Sequence, residues 1–426
     1  MKKLFSIVVL SLLLCTSGVT QVVDYAREVV NTLASDEFKG RGYVGNGDKL
    51  AADYIRNEFK EIGLKSFSKN YTQSFTTPVN TFPNKLTLKL NGKELIPGED
   101  YLVSPGSPSV KGTFDVVKLS AADIIDSNVF KNKLANATGK FIVVEAFDRN
   151  EFTDTENTHI QNAIGFLTYH RNNPASGTVI LTQNKLTWSG ATSVNLKPTF
   201  TVNADAFDTE ILNIEVDVKN RFHKNYKTQN LVGYVEGENT DSLIVLVAHY
   251  DHLGMMGEGA IFNGANDNAS GVAMLLSMAK YYAVHKPKYT TAFIAFGAEE
   301  LGILGAKYFT EHPLFELSKI KFLINFDLAG TGEEGIQVVN GSVYKNRFKR
   351  LKQINTEHQL LADVKIRGAA CNSDHCMFDK KGVPNFFIYT LGGISAYHDI
   401  YDRPETLPLT AFNEYYQLML LFIETL

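Results

Sequence analysis

Beyond Gln229 the chain is a succession of short, continuous apolar runs, and this pattern narrows the possible folds more than any other feature. LVGYV, LIVLVAHY, TTAFIAFGAEE and KFLINFD are separated by stretches of helical periodicity, SGVAMLLSMAKYYAVH being the longest. A strand with one wet face alternates apolar and polar residues. These runs do not, as is typical of strands in a largely parallel sheet covered by helices on both faces. The expected class is therefore α/β, with a mostly parallel central sheet flanked by helices. Apolar residues recur at helical spacing over 22–33 and 48–62, where Gly63 supplies a stop signal, so two early helices join the same layers. From about 71 to 218 the character changes to short β-like runs such as LTLKL, FIVVEAF, GTVILT and TFTVNA, divided by turn residues. A chain of 426 residues is long enough for two domains. The expected division is an α/β domain over 21–94 and 223–426, interrupted by a β-rich insertion over 95–222.

The first twenty residues, MKKLFSIVVLSLLLCTSGVT, place two lysines before an apolar run from Leu4 to Leu14 and end in small and polar residues. This is the pattern of a secretory signal peptide, and its apolar run is well short of the roughly 20 residues that span a bilayer. The expected mature chain is exported, to the periplasm or outside the cell, with no stable membrane span. Cleavage removes Lys2 and Lys3 and no acid, which takes the formal net charge from -4 to -6. The remaining cations form no basic stripe, which argues against nucleic acid as a partner. Processing leaves two cysteines, Cys371 and Cys376, whose spacing fits no zinc CxxC. In an oxidising compartment they form a disulfide candidate, the other reading being two buried thiols. GRGYVG at 40–45 matches a dinucleotide-binding GxGxxG in form alone, since no strand precedes it.

In an α/β domain functional groups gather outside the carboxyl ends of the strands, and the polar residues of this chain fall there. LIVLVAHYD ends in His249 and Asp251, TAFIAFGAEE in Glu299 and Glu300, and KFLINFD in Asp327; a loop before the long helix supplies Asp267, and SAYHDIYD supplies His398. Singly, each has an ordinary use: a helix cap for Asp267, a solvated helix start for the two glutamates. Together, two imidazoles and three carboxylates are a ligand set for two zinc ions per chain, about 3.5 to 4 Å apart, able to activate a water and polarise a carbonyl. Asp267 is the expected bridge, His249 and Asp327 complete one ion, and Glu300 and His398 the other. Asp251 is placed to orient the His249 imidazole. Of the doubled glutamate, Glu300 is assigned as ligand and Glu299 as the base that takes a proton from the attacking water.

The segments AHYDHLG, NGANDNASG, AFGAEELG, NFDLAG and CNSDHCMF, with Tyr397-His398, resemble the M28 family of dizinc exopeptidases over roughly residues 25–75 and 228–426. The resemblance implies the same five ligands and the same base, an exopeptidase fold, and peptide substrates. It also implies a role for Tyr397 in stabilising the oxyanion, a packed tyrosine being the other reading, and a place near the substrate pocket for Asp374 and His375. The insertion is similar to the protease-associated domain of many members, which would cover part of the cleft. One departure is HDIYDRPET, where Asp402 and Thr406 follow the final His at wider spacing than in many members. The reading that results is an aminopeptidase. A one-zinc glutaminyl cyclase, a carboxypeptidase-type member and a catalytically silent binding protein are the others; retention of His249 and the full ligand set argues against the first and third. No GxSxG elbow is present for a serine hydrolase. Nothing in the sequence sets the oligomeric state or the preferred side chain.

Overall fold

A computed structural model describes residues 21–207 and 209–426; the expected signal peptide, residues 1–20, lies outside them. Its main sheet has nine strands, and the middle of that sheet is four neighbouring parallel strands in the order Tyr289–Phe296, Asn239–His249, Ile320–Phe326 and Asn385–Leu391. The flanks are antiparallel: Arg221–Val235 runs against Tyr289–Phe296 and pairs with Thr72–Thr81, and Gly335–Val339 runs against Asn385–Leu391.

Continuous apolar runs form the central strands because both faces are covered. Along Asn239–His249, Ile244, Leu246 and Ala248 enter one core with Ile55, Met274 and Phe422 from the helices, while Leu243, Val245 and Val247 enter another with Phe309 and Phe378. Helix Gly271–Val284 is buried at every position from Gly271 to Ala279, as an apolar helix must be. Among the described residues no helix is long and apolar enough to cross a membrane.

A second sheet of eight strands is built from residues 87–218. The expected boundary at 94/95 falls inside it, because Thr87–Leu90 pairs along Asn213–Val218, a partner some 120 residues away that local pattern does not reveal. Four of its strands are parallel, and helices Ala121–Ile125, Ser127–Ala135 and Asp154–Tyr169 cover one face through a core containing Ile142, Val144, Ile160 and Leu167. The insertion is thus a mixed α/β layer, and the AIGFLTYHR stretch lies largely in its longest helix. Its other core takes in Leu253, Met256, Ala260 and Phe262 from the hairpin that follows His249, so the two sheets share apolar packing.

Candidate metal centre

Three adjacent parallel strands end at the same level and deliver the first groups. His249 closes Asn239–His249 opposite Phe296, Glu299 and Glu300 follow Tyr289–Phe296, and Asp327 follows Ile320–Phe326. Asp267 lies in the buried turn Ala265–Ser270 ahead of the long helix, with φ -108° and ψ 96°, and the peptide bond after it is cis. His398 comes from the loop after the fourth parallel strand. All five expected ligands converge.

Oδ1 of Asp267 and Oδ2 of Asp327 each lie 3.5 Å from Nε2 of His249. Oδ2 of Asp267 lies 3.1 Å from Nε2 of His398, whose other carboxylate neighbour is Oε2 of Glu300 at 3.3 Å. Ligand atoms about 2.0–2.1 Å from a tetrahedral zinc are about 3.3–3.4 Å from each other, so these four pairs have zinc-like spacing and Asp267 divides its two oxygens between His249 and His398. The residues present fit a zinc centre. The charge fits as well, since buried Asp251, Asp267, Asp327, Asp374 and Asp402 crowd one region with Glu299 and Glu300.

A second imidazole, His252, also lies near Asp267 and Glu300. Its Nδ1 is 2.7 Å from Oε1 of Glu300, a hydrogen-bond distance and too close for two ligands of one tetrahedral ion. His252 therefore pairs with Glu300 through Nδ1, while its Nε2 is buried without a hydrogen-bond partner. The sequence reading missed His252, whose signal was its place three residues after His249 on the same strand end. Asp402 was also missed: its two oxygens accept the N–H groups of Asn266 and Asp267 at 2.8 and 2.9 Å, fixing the turn that presents Asp267. Arg41 supports that turn from the other side by donating to the carbonyls of Asn263, Gly264 and Asp267. Ser373 donates to Oδ2 of Asp327 at 3.1 Å.

Asp251 acts differently from expectation. The His249 imidazole donates from Nδ1 to the Asp251 carbonyl at 3.1 Å, while the Asp251 carboxylate accepts the N–H groups of Glu299 and Glu300 at 3.0 and 3.3 Å. The Asp251 carboxylate is taken up by the backbone that follows the neighbouring strand, and the ring is met by the carbonyl instead. Asp374 and His375 also depart from expectation, because neither lines the cleft beside the ligands. That cleft, about 360 Å³, is lined by Glu299, Ile303, Leu328, Asn372, Phe387, Tyr389 and Tyr397 together with ligands. Asp374 starts helix His375–Asp379 and is drawn beneath the site with both carboxylate oxygens unpartnered, and burial pushes its carboxyl up to about 8. His375 stacks on Phe387 and donates from Nε2 to the Ala370 carbonyl; burial pushes it down to about 4. Cys371 and Cys376 are joined as a disulfide with Cα atoms 4.8 Å apart. A larger groove between Arg27 and Arg403 holds none of the convergent groups.

Glu299 stands in the cleft outside both trios. Burial raises its carboxyl well above the usual range; His249 opposes this, and Asp374, Glu300 and Asp327 add to it. Tyr397, half exposed, stacks on the His398 ring with centroids 4.0 Å apart. Burial foremost, then the surrounding carboxylates, raise its hydroxyl pKa and keep it a proton donor.

Residues 230–423 match the family model of Peptidase family M28. The chain is 29% identical over 208 residues to Aminopeptidase YwaD of Bacillus subtilis, covering 48% of this chain and 42% of that protein. It is 25% identical over 307 residues to Leucine aminopeptidase 2 of Trichophyton rubrum, covering 71% and 57%. The chain thus spans about half the length of these curated relatives. In fold it is similar to the crystal structure of BSAP, a zinc aminopeptidase from Bacillus subtilis, with a TM-score of 0.68 over 94% of each chain at 20% identity.

Proposed function

We propose that this chain, whose residues 230–423 match the family model of Peptidase family M28, is an exported zinc-dependent aminopeptidase that removes N-terminal residues from peptides. The observation that carries this reading is the division of the two Asp267 oxygens between His249 and His398 at zinc-like spacing, with Glu299 in the same cleft. The names of the two curated relatives support the aminopeptidase class.

His249, Asp267 and Asp327 would hold one zinc, and Asp267, Glu300 and His398 the second. Bound zinc supplies Lewis acidity toward the scissile carbonyl and the attacking water. Glu299 takes a proton from that water and passes it to the departing amine, a role suited to a carboxylate whose burial raises its proton affinity. Tyr397 donates its hydroxyl proton in a hydrogen bond to the developing oxyanion. Ile303, Leu328, Phe387 and Tyr389 form the apolar part of the wall against which the peptide's terminal residue packs. The insertion, similar to a protease-associated domain, is proposed to limit access to the cleft, and export rests on the first twenty residues.

Glu299→Gln is expected to keep two zinc ions per chain by mass spectrometry and to lower kcat on aminoacyl anilides by at least about 10²-fold. A variant as active as the parent would overturn Glu299 as base. One zinc per chain in the parent would favour cyclase chemistry.

A further inference from the structure

The last of the proposed ligands, His398, lies in the loop after the fourth parallel strand and is held there by the insertion. The connection between Gly177–Thr182 and Thr199–Asn203, both strands of the second sheet, runs over the loop carrying His398. Residue 188 grips residue 398 in both directions: the N–H of Trp188 donates to the His398 carbonyl at 2.8 Å, and Nδ1 of His398 donates to the Trp188 carbonyl at 3.0 Å. A carbonyl can only accept, so this contact places the ring proton on Nδ1 and leaves Nε2 free toward Asp267 and Glu300.

Lys185 fastens the same loop, and Trp188 and Gly190 anchor the connection that grips it. Lys185 donates to the Ser395 carbonyl at 2.6 Å and pairs with the buried Asp399 carboxylate at 2.5 Å. The Trp188 indole donates to the Val103 carbonyl at 2.8 Å and stacks on Phe262. Gly190 lies so close to Leu301 and the Glu300 carbonyl that a Cβ there would come within 2.5 Å and 3.2 Å of them. One connection therefore covers both residues, His398 and Glu300, that complete the second trio. His398 also sits at φ 54°, a left-handed conformation that costs a non-glycine residue about 1 kcal/mol or more and persists where its surroundings over-determine it.

We propose that residues 185–190 of the insertion are a positioning device for the second metal position, with Trp188 and Lys185 as positioning residues that set the tautomer and place of His398. The inference rests on the two-zinc reading above. Loss of an outer hydrogen-bond partner of a ligand typically costs about 10- to 100-fold in metal affinity, so the effect falls on one step of zinc binding.

The test strips the full-length protein of zinc and titrates zinc back against a chromophoric chelator, resolving two steps. Trp188→Phe, which keeps the main-chain grip on His398 but frees it from the indole anchor at Val103, and Lys185→Met, which frees the loop at Ser395 and Asp399, are each expected to weaken one step by at least about threefold and leave the other as in the parent. Lys185→Arg, which restores the cation, is expected to rescue it. Ile142→Ala, a cavity in the separate core of the insertion, is expected to lower stability and leave both steps intact. His398→Ala separates the two ideas. If it loses a step that Trp188→Phe and Lys185→Met retain at parental strength, the positioning inference falls and the zinc reading stands. If it binds zinc as the parent does, the zinc reading falls and takes the inference with it. Weakening of both steps alike, or equal weakening in Ile142→Ala, would mean general loosening and overturn the inference.

Discussion

Arg41 has no exposed surface and no carboxylate directly bonded to it, yet each of its five N–H donors has an acceptor: the carbonyls of Leu33, Tyr250, Asn263, Gly264 and Asp267. Burial pulls its pKa down to about 10, with Asp267 and Asp402 working in the other direction. A lysine there would bring three donors on a flexible stem in place of a planar fork. A different buried cation acceptor, His375, ties stability to pH. Its ring prefers the neutral form in the fold, with a pKa near 4 against about 6.5 unfolded. The unfolded chain therefore binds the extra proton between these values, so stability is intact above pH 6.5 and declines as pH falls toward 4. At pH 4 the decline attributable to this group is about 3 kcal/mol. Denaturant unfolding of parent and His375→Gln at pH 7 and pH 4 measures it, with the variant expected to lose less. Equal losses would mean that the buried ring is not a proton-linked group.

At the scale of elements, the site exists because neighbouring parallel strands end together, so that His249, Glu300 and Asp327 meet without sharing a sequence neighbourhood. Two of the three glycines of GRGYVG, Gly40 and Gly42, serve this arrangement by close backbone approach. A Cβ on Gly42 would lie 2.4 Å from the Gly254 Cα, and one on Gly40 2.2 Å from the Phe262 carbonyl, so the N-terminal segment seats Arg41 against the hairpin Gly254–Met256 and Ala260–Phe262. Gly42→Ala must push these backbones apart. It is expected to cost about 1–3 kcal/mol and to lower the thermal midpoint, and an unchanged midpoint would show that the approach is not tight in solution.

On the scale of the molecule, the two sheets share a core and meet at His398, so the centre is assembled from parts up to 210 positions apart. Buried carboxylates dominate that centre and repel one another unless cations sit among them. Zinc is therefore expected to stabilise the fold: with free zinc about a thousandfold above its dissociation constant the gain is about 4 kcal/mol per site. Calorimetry with and without chelator checks this, and a melting temperature indifferent to zinc would contradict it.

The sequence alone determined the α/β class and the five groups that converge, because apolar periodicity is a local record of burial and four of the five, His249, Asp267, Glu300 and Asp327, adjoin an apolar strand or helix, while His398 lies in a loop. LIVLVAHYD announces both its strand and His249 in nine letters. Tertiary structure decided the rest. Whether the Asp251 carboxylate or carbonyl faces His249, that Asp374 and His375 sink beneath the cleft, that Asp402 holds the Asp267 turn, and that Trp188 grips His398 all depend on pairings across 48 to 210 positions. Such pairings are selected by packing and hydrogen-bond satisfaction in the folded chain, and leave no period or spacing to be read beforehand.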